Sequence, residues 1–454
     1  MAHEVLVGVD VGTTSVKALC VTPEGEVLSL ASRPTPWRHS GPLADADPGV
    51  LADVVIGVCA EAAADPSVLA RGAVTVRAIG VTGIAEAGAL IDARGEPCAP
   101  ALAWFDPRGD ASLVRAAVSA RDFQRATGRR LNSKPSLMKV LWLRSNVPSA
   151  SAAVRHLCIA EWIVRAMGGE EVSEASLASR TGMLDISRRE PWPVAVELVG
   201  DLLAPQRIWA GDPAGRAGGD RVPEILRGAV LTVAGLDHQA AVLISGAARD
   251  GALFDSMGTA EALIRTVAGV VPVDQIEWLT DQDIDVDWSV LPDHQILLGA
   301  RLTGLSLERI SAMLGATDRD GRRALGHAAL AVERGEDAPR LVDVSNDALT
   351  LGGITDGITP ALTWRCAVED LTAMAGIALE QMTSVVGPHT SAVLAGGWTR
   401  NPMVADAKAR QLGAHEVVDL QEPGALGAAY LGGVAAGLLT RPSDDGQPAW
   451  RVSA

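Results

Sequence analysis

Four short stretches of this sequence place glycine, hydroxyl and carboxylate residues where they could handle a phosphorylated ligand. The first is Asp10-Val11-Gly12-Thr13-Thr14-Ser15, between a buried-strand run at Val5–Val9 and a second strand at Val16–Val21. A turn of this kind puts backbone N–H groups and three hydroxyls at a hairpin tip, with Asp10 at the strand end beside them. N–H groups and hydroxyls suit phosphate oxygens, and a neighbouring carboxylate suits Mg2+. The same residues also make an ordinary polar hairpin, which needs no ligand. The second stretch is Met257-Gly258-Thr259-Ala260. The third is Gly396-Gly397-Trp398-Thr399-Arg400-Asn401-Pro402. Its Gly-Gly pair would let a flat ligand approach the backbone closely. Asn401 and Pro402 read as the N-cap and first residue of a helix over 403–412, which Gly413 stops. The fourth is Gly235-Leu236-Asp237-His238, at the end of a strand over 230–234. There Asp237 reads most simply as the N-cap of a helix over 239–248.

The elements that must position these residues follow from the pattern of the chain. A third strand, Val27–Leu30, follows the turn Thr22-Pro23-Glu24-Gly25. Helical spacing over 50–64 leads to a strand over 74–81 that closes on Thr82-Gly83-Ile84-Ala85-Glu86. A short strand at 89–91 and the run 101–104 lead to a polar tip, Asp106-Pro107-Arg108. From about Gly109 to Met167 the pattern is mostly helical, with amphipathic helices expected over 137–144 and 156–167. At Asp250-Gly251 the chain starts again, with strands over 252–256 and 261–267 around Gly258-Thr259. Asp10-Val11-Gly12-Thr13 aligns there with Ser256-Met257-Gly258-Thr259, which suggests an internal duplication and two similar domains facing each other. Only the first copy carries a carboxylate, so only that turn would bring a metal ligand. Further on come a helix over 367–386, strands at 392–395 and 417–418, a Gly/Ala-rich helix over 424–439 suited to close packing, and an Asp444-Asp445-Gly446 tail that reads as solvated.

Composition bounds the function. The 454 residues are too many for one ordinary core, so two domains are expected. A formal net charge of −16 argues against nucleic acid or an anionic membrane surface as the main partner. The five cysteines are dispersed and form no C-x-x-C pair, which suits reduced thiols in a cytoplasm. No signal peptide and no uninterrupted apolar run of about 18 residues is seen, so a cytoplasmic location without a membrane span is expected.

Taken together, these stretches resemble the FGGY carbohydrate kinases, the group holding glycerol kinase, xylulokinase, gluconokinase and fuculokinase. The resemblance rests on Asp10-Val11-Gly12-Thr13-Thr14-Ser15-x-Lys17, Gly80-Val81-Thr82-Gly83 and Trp104-Phe105-Asp106-Pro107-Arg108. It also rests on Lys139-Val140-Leu141-Trp142-Leu143, Gly235-Leu236-Asp237, Gly258-Thr259 and Gly396-Gly397-x-x-x-Asn401-Pro402, in that order along nearly the whole chain. It implies an α/β fold of two actin-like (ribonuclease H-like) ATPase domains, each a mixed sheet flanked by helices, with a cleft between. Residues 1–245 would carry the sugar site, phosphate turn and catalytic aspartate, and residues 246–454 the adenosine site. The implied reaction is ATP-dependent phosphorylation of a sugar, ketose, polyol or sugar-acid hydroxyl. By resemblance, Asp237 is the general base and Asp10 holds Mg2+. Gly12, Thr13, Thr14 and Ser15 contact the phosphates, with Gly258 and Thr259 closing from the other domain, and Gly396, Gly397 and Asn401 line the adenosine site. Glu86, Trp104, Asp106 and His238 are the candidates for the sugar. Glycerol kinase-like relatives have an Arg-Glu pair where this chain has Ala85-Glu86 and Gln where it has His238, and xylulokinases have Met-His near Ala85-Glu86. The chain fits neither subgroup, and the missing arginine argues against glycerol. The role of Glu261 is open, and Lys134 near a substrate contact would suit a sugar acid. The resemblance leans towards a homodimer. Two other readings compete: an actin-like ATPase without sugar kinase activity, and a silent regulator that binds sugar and nucleotide.

Overall fold

The computed structural model describes residues 3–345, 348–442 and 448–450; the Asp444-Asp445-Gly446 tail lies outside them. Two mixed sheets organise the chain. The first runs β5-β4-β1-β2-β3, from β1 (His3–Val11), β2 (Ser15–Val21), β3 (Val27–Pro34), β4 (Val74–Gly83) and β5 (Val230–Leu236). β1, β2 and β3 are antiparallel, and β4 and β5 add in parallel. The second sheet contains β6 (Ala252–Met257), β7 (Glu261–Ala268), β8 (Ile284–Trp288), β9 (His294–Arg301), β10 (Ser391–Ala395) and β11 (Glu416–Val418), in the order β8-β9-β7-β6-β10-β11. Apart from the added edge strand β8, it repeats the first: β6, β7 and β9 antiparallel, β10 and β11 parallel. The expected duplication therefore extends over five strands in each half.

The register confirms the Gly-Thr alignment residue by residue. Val11 pairs with Val16 around Gly12–Ser15, and Met257 pairs with Glu261 around Gly258–Ala260, so the second hairpin is one residue shorter. Asp10 lies beside Thr82 of β4, and Ser256 beside Ala395 of β10. The glycines that follow are equivalent too. A Cβ on Gly83 would meet Val11 O at 3.0 Å, and one on Gly396, at φ 100°, would meet Met257 O at 2.4 Å.

Four helices matter for the site: α1 (Ser136–Asn146), α2 (Asp237–Ile244, directly after β5), α3 (Pro402–Leu412) and α4 (Pro423–Ala435, directly after β11). α4 is Gly/Ala-rich, as anticipated, although it starts at Pro423 and stops at Ala435. It lies on β1, β4 and α2 of the N-terminal half. The contact is backbone to backbone. A Cβ on Gly80 would sit 1.8 Å from Ala428 O, one on Gly8 2.0 Å from Ala425 O, and one on Gly427 2.2 Å from Ala240 O. Only glycine allows that approach. The chain after 423 thus closes on the N-terminal sheet, across the boundary expected at 245/246.

Two local expectations are corrected. Residues 153–158 form a strand paired with Gly88–Asp92, so the helix expected from His156 begins at Ile159; the buried run His156-Leu157-Cys158 would serve either element. α2 begins at Asp237 with Leu236 as its N-cap, so Asp237 is the first helical residue and not the cap. No helix among the described residues is long and apolar enough to cross a membrane.

Candidate active site

The Gly12–Ser15 turn is held from behind. Thr35 Oγ1 donates to Gly12 O at 2.7 Å, Thr35 N to Thr14 O at 3.1 Å, and Trp37 Nε1 to Thr13 O at 2.8 Å. With its carbonyls engaged this way, the turn keeps the N–H groups of Thr13 and Thr14 without acceptors among the described residues. Thr14 is exposed. Donors fixed in this manner suit an anion. Trp104 Nε1 also donates to Thr13 Oγ1, at 2.9 Å. Trp104 therefore ties the expected sugar wall to the expected phosphate turn, a link that no local sequence signal reveals.

Asp10 closes β1 next to this turn. Its Oδ1 is buried and makes no hydrogen bond. Burial first, then the negative charges of Asp237 and Glu422, push its carboxyl up to about 8, against the pull of Lys17. Gly424, in the first turn of α4, comes so close that a Cβ there would meet Asp10 Oδ2 at 2.5 Å. A buried carboxylate oxygen without partners is costly on its own. A divalent cation beside it would meet that need, so the residues fit Mg2+. Among the described residues no three His, Cys, Asp or Glu side chains gather as a self-sufficient metal cage. The cation would need oxygens from a ligand, as Mg2+ in nucleotide sites usually does. Lys17 pairs with Glu422 at 2.8 Å.

Asp237 faces the same space. A bulge between Val233 and Leu236 breaks the β5–β4 register, and Gly235 takes φ 78° there. Thr82 Oγ1 donates to Gly235 O at 2.6 Å, and Leu236 N donates to Ser176 Oγ at 3.0 Å. Ser176 Oγ in turn donates to Glu174 Oε2 at 2.6 Å. Among the described residues, the Asp237 carboxylate accepts only from His238 N, at 2.6 Å. Its backbone is rigidly placed while most of its hydrogen-bonding capacity remains open. His238 is exposed beside it.

Glu86 is 6% exposed and has φ 57°, a left-handed conformation unusual for a residue with a side chain. Its Oε1 accepts from Arg129 Nη2 at 2.9 Å and from Arg180 Nε at 2.8 Å. Despite burial, the two guanidiniums hold its carboxyl below the usual range. Arg180 also reaches Asp287 at 2.9 Å, and Arg129 reaches Asp285 at 2.8 Å, both on β8 of the C-terminal half. Neither arginine was foreseen, because a pair 51 positions apart leaves no local pattern. β8 itself was also missed, although Ile284-Asp285-Val286-Asp287-Trp288 alternates strictly. Asp106, expected against the sugar, is 2% exposed and spent on protein partners. Ala44 N donates to its Oδ2 at 2.7 Å, and Arg108 N donates to its Oδ1 at 2.9 Å; the Arg108 side chain bridges it to Asp45. It holds the Trp104 loop in place.

On the other half, Gly258 and Thr259 are exposed at their hairpin tip, and Leu305 N donates to Thr259 O at 2.7 Å. Glu261 takes the place of buried Val16 and is itself fully buried, bonded to Lys408 and Thr303. Lys408 lies 2.8 Å from Asp255 as well, so a buried ion cluster joins this hairpin to α3. Gly396 and Gly397 are exposed, whereas Asn401 is the N-cap anticipated. Its Oδ1 accepts from Met403 N and Val404 N, and its Nδ2 donates to Arg322 O at 2.7 Å. The polar atoms of the Asn401 side chain are thus engaged within the protein.

Residues 5–201 match the model of the FGGY family of carbohydrate kinases, N-terminal domain. The chain is 26% identical over 455 residues to the L-fuculokinase of Salmonella typhi, covering 97% of this chain and 94% of that one. It is 28% identical over 468 residues to the glycerol kinase of Aromatoleum aromaticum, covering 95% and 90%. In fold it is similar to a xylulose kinase from Rhodospirillum rubrum, with a TM-score of 0.84 at 21% identity over 95% of this chain and 90% of that one.

Proposed function

We propose that the chain is a carbohydrate kinase of the FGGY family with ATP as phosphoryl donor, that Asp237 is its general base and that Mg-ATP lies between the two hairpin tips. The observation that carries this reading is the convergence of Asp10 and Asp237. Asp10 lies in β1 and Asp237 opens α2; the charge of Asp237 helps raise the Asp10 carboxyl, and both leave a carboxylate oxygen uncommitted among the described residues, with the N–H groups of Thr13 and Thr14 following Asp10 in the turn.

In this reading Gly12–Ser15 and the Gly258–Thr259 tip hold the phosphates from two sides, and the Gly396-Gly397 turn takes the adenosine, with Asn401 shaping that turn from below. Asp10 would hold Mg2+, which supplies charge neutralisation on the phosphates. The acceptor hydroxyl lies against Trp104 and His238, attacks the γ-phosphorus and gives its proton to Asp237 as the bond to ADP breaks. Transfer of this kind depends mainly on positioning and electrostatics, so a rigid Gly235–Leu236 anchor for the base is what the chemistry calls for. Glu86 shapes the sugar pocket while tied to Arg129 and Arg180. Residues 1–245 provide acceptor and base, and residues 246–454 the nucleotide wall, apart from α4.

The test is ADP release with Mg-ATP over D-xylulose, L-fuculose, glycerol and D-gluconate. Stimulation by at least one acceptor supports the reading, and glycerol is expected to be poor. ADP release that no acceptor changes would favour an ATPase without sugar kinase activity.

A further inference from the structure

Glu86 and Trp104 of the proposed sugar wall, and the neighbouring Lys134, share one buried cation. Lys139, in the first turn of α1, is 4% exposed. Its Nζ donates to Glu86 O at 2.9 Å, Trp104 O at 3.0 Å and Lys134 O at 3.1 Å. An ammonium has three donors, and here each goes to a main-chain carbonyl of a different segment. All three segments carry wall side chains. Glu86 follows β4, Trp104 heads the loop that Asp106 braces, and Lys134 lies over the Trp104 ring at 5.7 Å. Among the described residues no carboxylate touches the ammonium; Glu86 and Asp106 act on it through space.

We propose that Lys139 is the positioning residue of the acceptor site, holding the backbones of Glu86, Trp104 and Lys134 in one arrangement. The proposal rests on the reading of these residues as the sugar wall. Glu86 shows why such a hub is needed. Its left-handed backbone is strained and persists only where the surroundings over-determine it. Lys139 holds its carbonyl from one side while Arg129 and Arg180 hold its carboxylate from the other. Trp104 meanwhile passes the arrangement on to Thr13, whose carbonyl Trp37 fixes independently. Loss of the hub should therefore loosen the acceptor side more than the phosphate side.

The experiment compares wild type with Lys139→Met, which keeps the length and removes the donors. The KM for whichever of D-xylulose, L-fuculose, glycerol or D-gluconate supports turnover should rise at least about tenfold, with the KM for ATP within about threefold. In the same proteins without acceptor, amide exchange over 84–88, 103–107 and 132–136 should rise together by about tenfold or more, with 12–16 and 258–260 unchanged. An unchanged acceptor KM, or exchange that rises in only one of the three segments, overturns the proposal. If Lys139→Met does not fold, Lys139→Gln carries the same comparison. If no acceptor supports turnover in wild type, the kinase reading of the site fails, and the exchange pattern still decides whether Lys139 is the hub.

Discussion

At the scale of single residues, Asp10 is where structure and chemistry are least separable. Its Oδ1 lacks a partner, and its carboxyl is pushed up to about 8 by burial and by the charges of Asp237 and Glu422. A fold gains nothing from such a group unless something else arrives to bond it. Replacing Asp10 by Asn keeps the shape and removes the charge. The concentration of Mg2+ giving half-maximal ADP release should rise about 10–100-fold, the usual consequence of weakening a metal's protein contacts; an unchanged Mg2+ requirement would remove Asp10 from the metal site. Glu86 and Asp106 show the opposite situation. The resemblance places both at the sugar, yet arginines or backbone N–H groups take up much of their capacity.

At the scale of elements, the decisive contact is the crossing of α2 and α4. Gly427 meets Ala240 O so closely that a methyl group would sit 2.2 Å from it. Since α2 carries Asp237 as its first residue, pushing the helices apart moves the proposed base. Gly427→Ala should cost about 1–3 kcal/mol in urea unfolding, the usual range for overpacking, and should lower turnover beyond what the lost stability explains. Full turnover at normal stability would show that the crossing does not set the base. The elements divide cleanly into what local sequence can reveal and what it cannot. Both Gly-Thr hairpins, the Asn401 cap and the small-residue character of α4 were legible, because turn chemistry, capping and composition act within a few residues. Where α4 packs was not, since its glycines face β1, β4 and α2 some two to four hundred positions away. The same holds for Arg129, Arg180 and β8, whose meaning lies in a contact between the halves.

At the scale of the whole molecule, two copies of one five-strand pattern face each other, and their differences assign the roles. The first hairpin carries Asp10, and the second has Ser256 at that place and a buried Glu261–Lys408 pair behind it. The molecule also stores several carboxyls pushed up by burial: Glu161 and Asp10 to about 8, Glu174 and Asp255 to about 7. A carboxyl raised in the folded state binds protons that the unfolded chain has released, so the stability it adds is lost as pH rises through the folded value. His156, lowered to about 4, is neutral in both states above about pH 6.5 and does not oppose this. Without nucleotide or metal, the urea midpoint should therefore fall between about pH 6.5 and 8; a midpoint that rises over this window would contradict the burial of these groups. The central claim remains that Asp237, set by the Gly235 bulge, takes the acceptor's proton. Its most direct test is acceptor-stimulated ADP release by Asp237→Asn, with urea unfolding as the check on folding. A fall of at least about 100-fold in turnover at unchanged stability is predicted, and turnover near that of wild type would contradict the account.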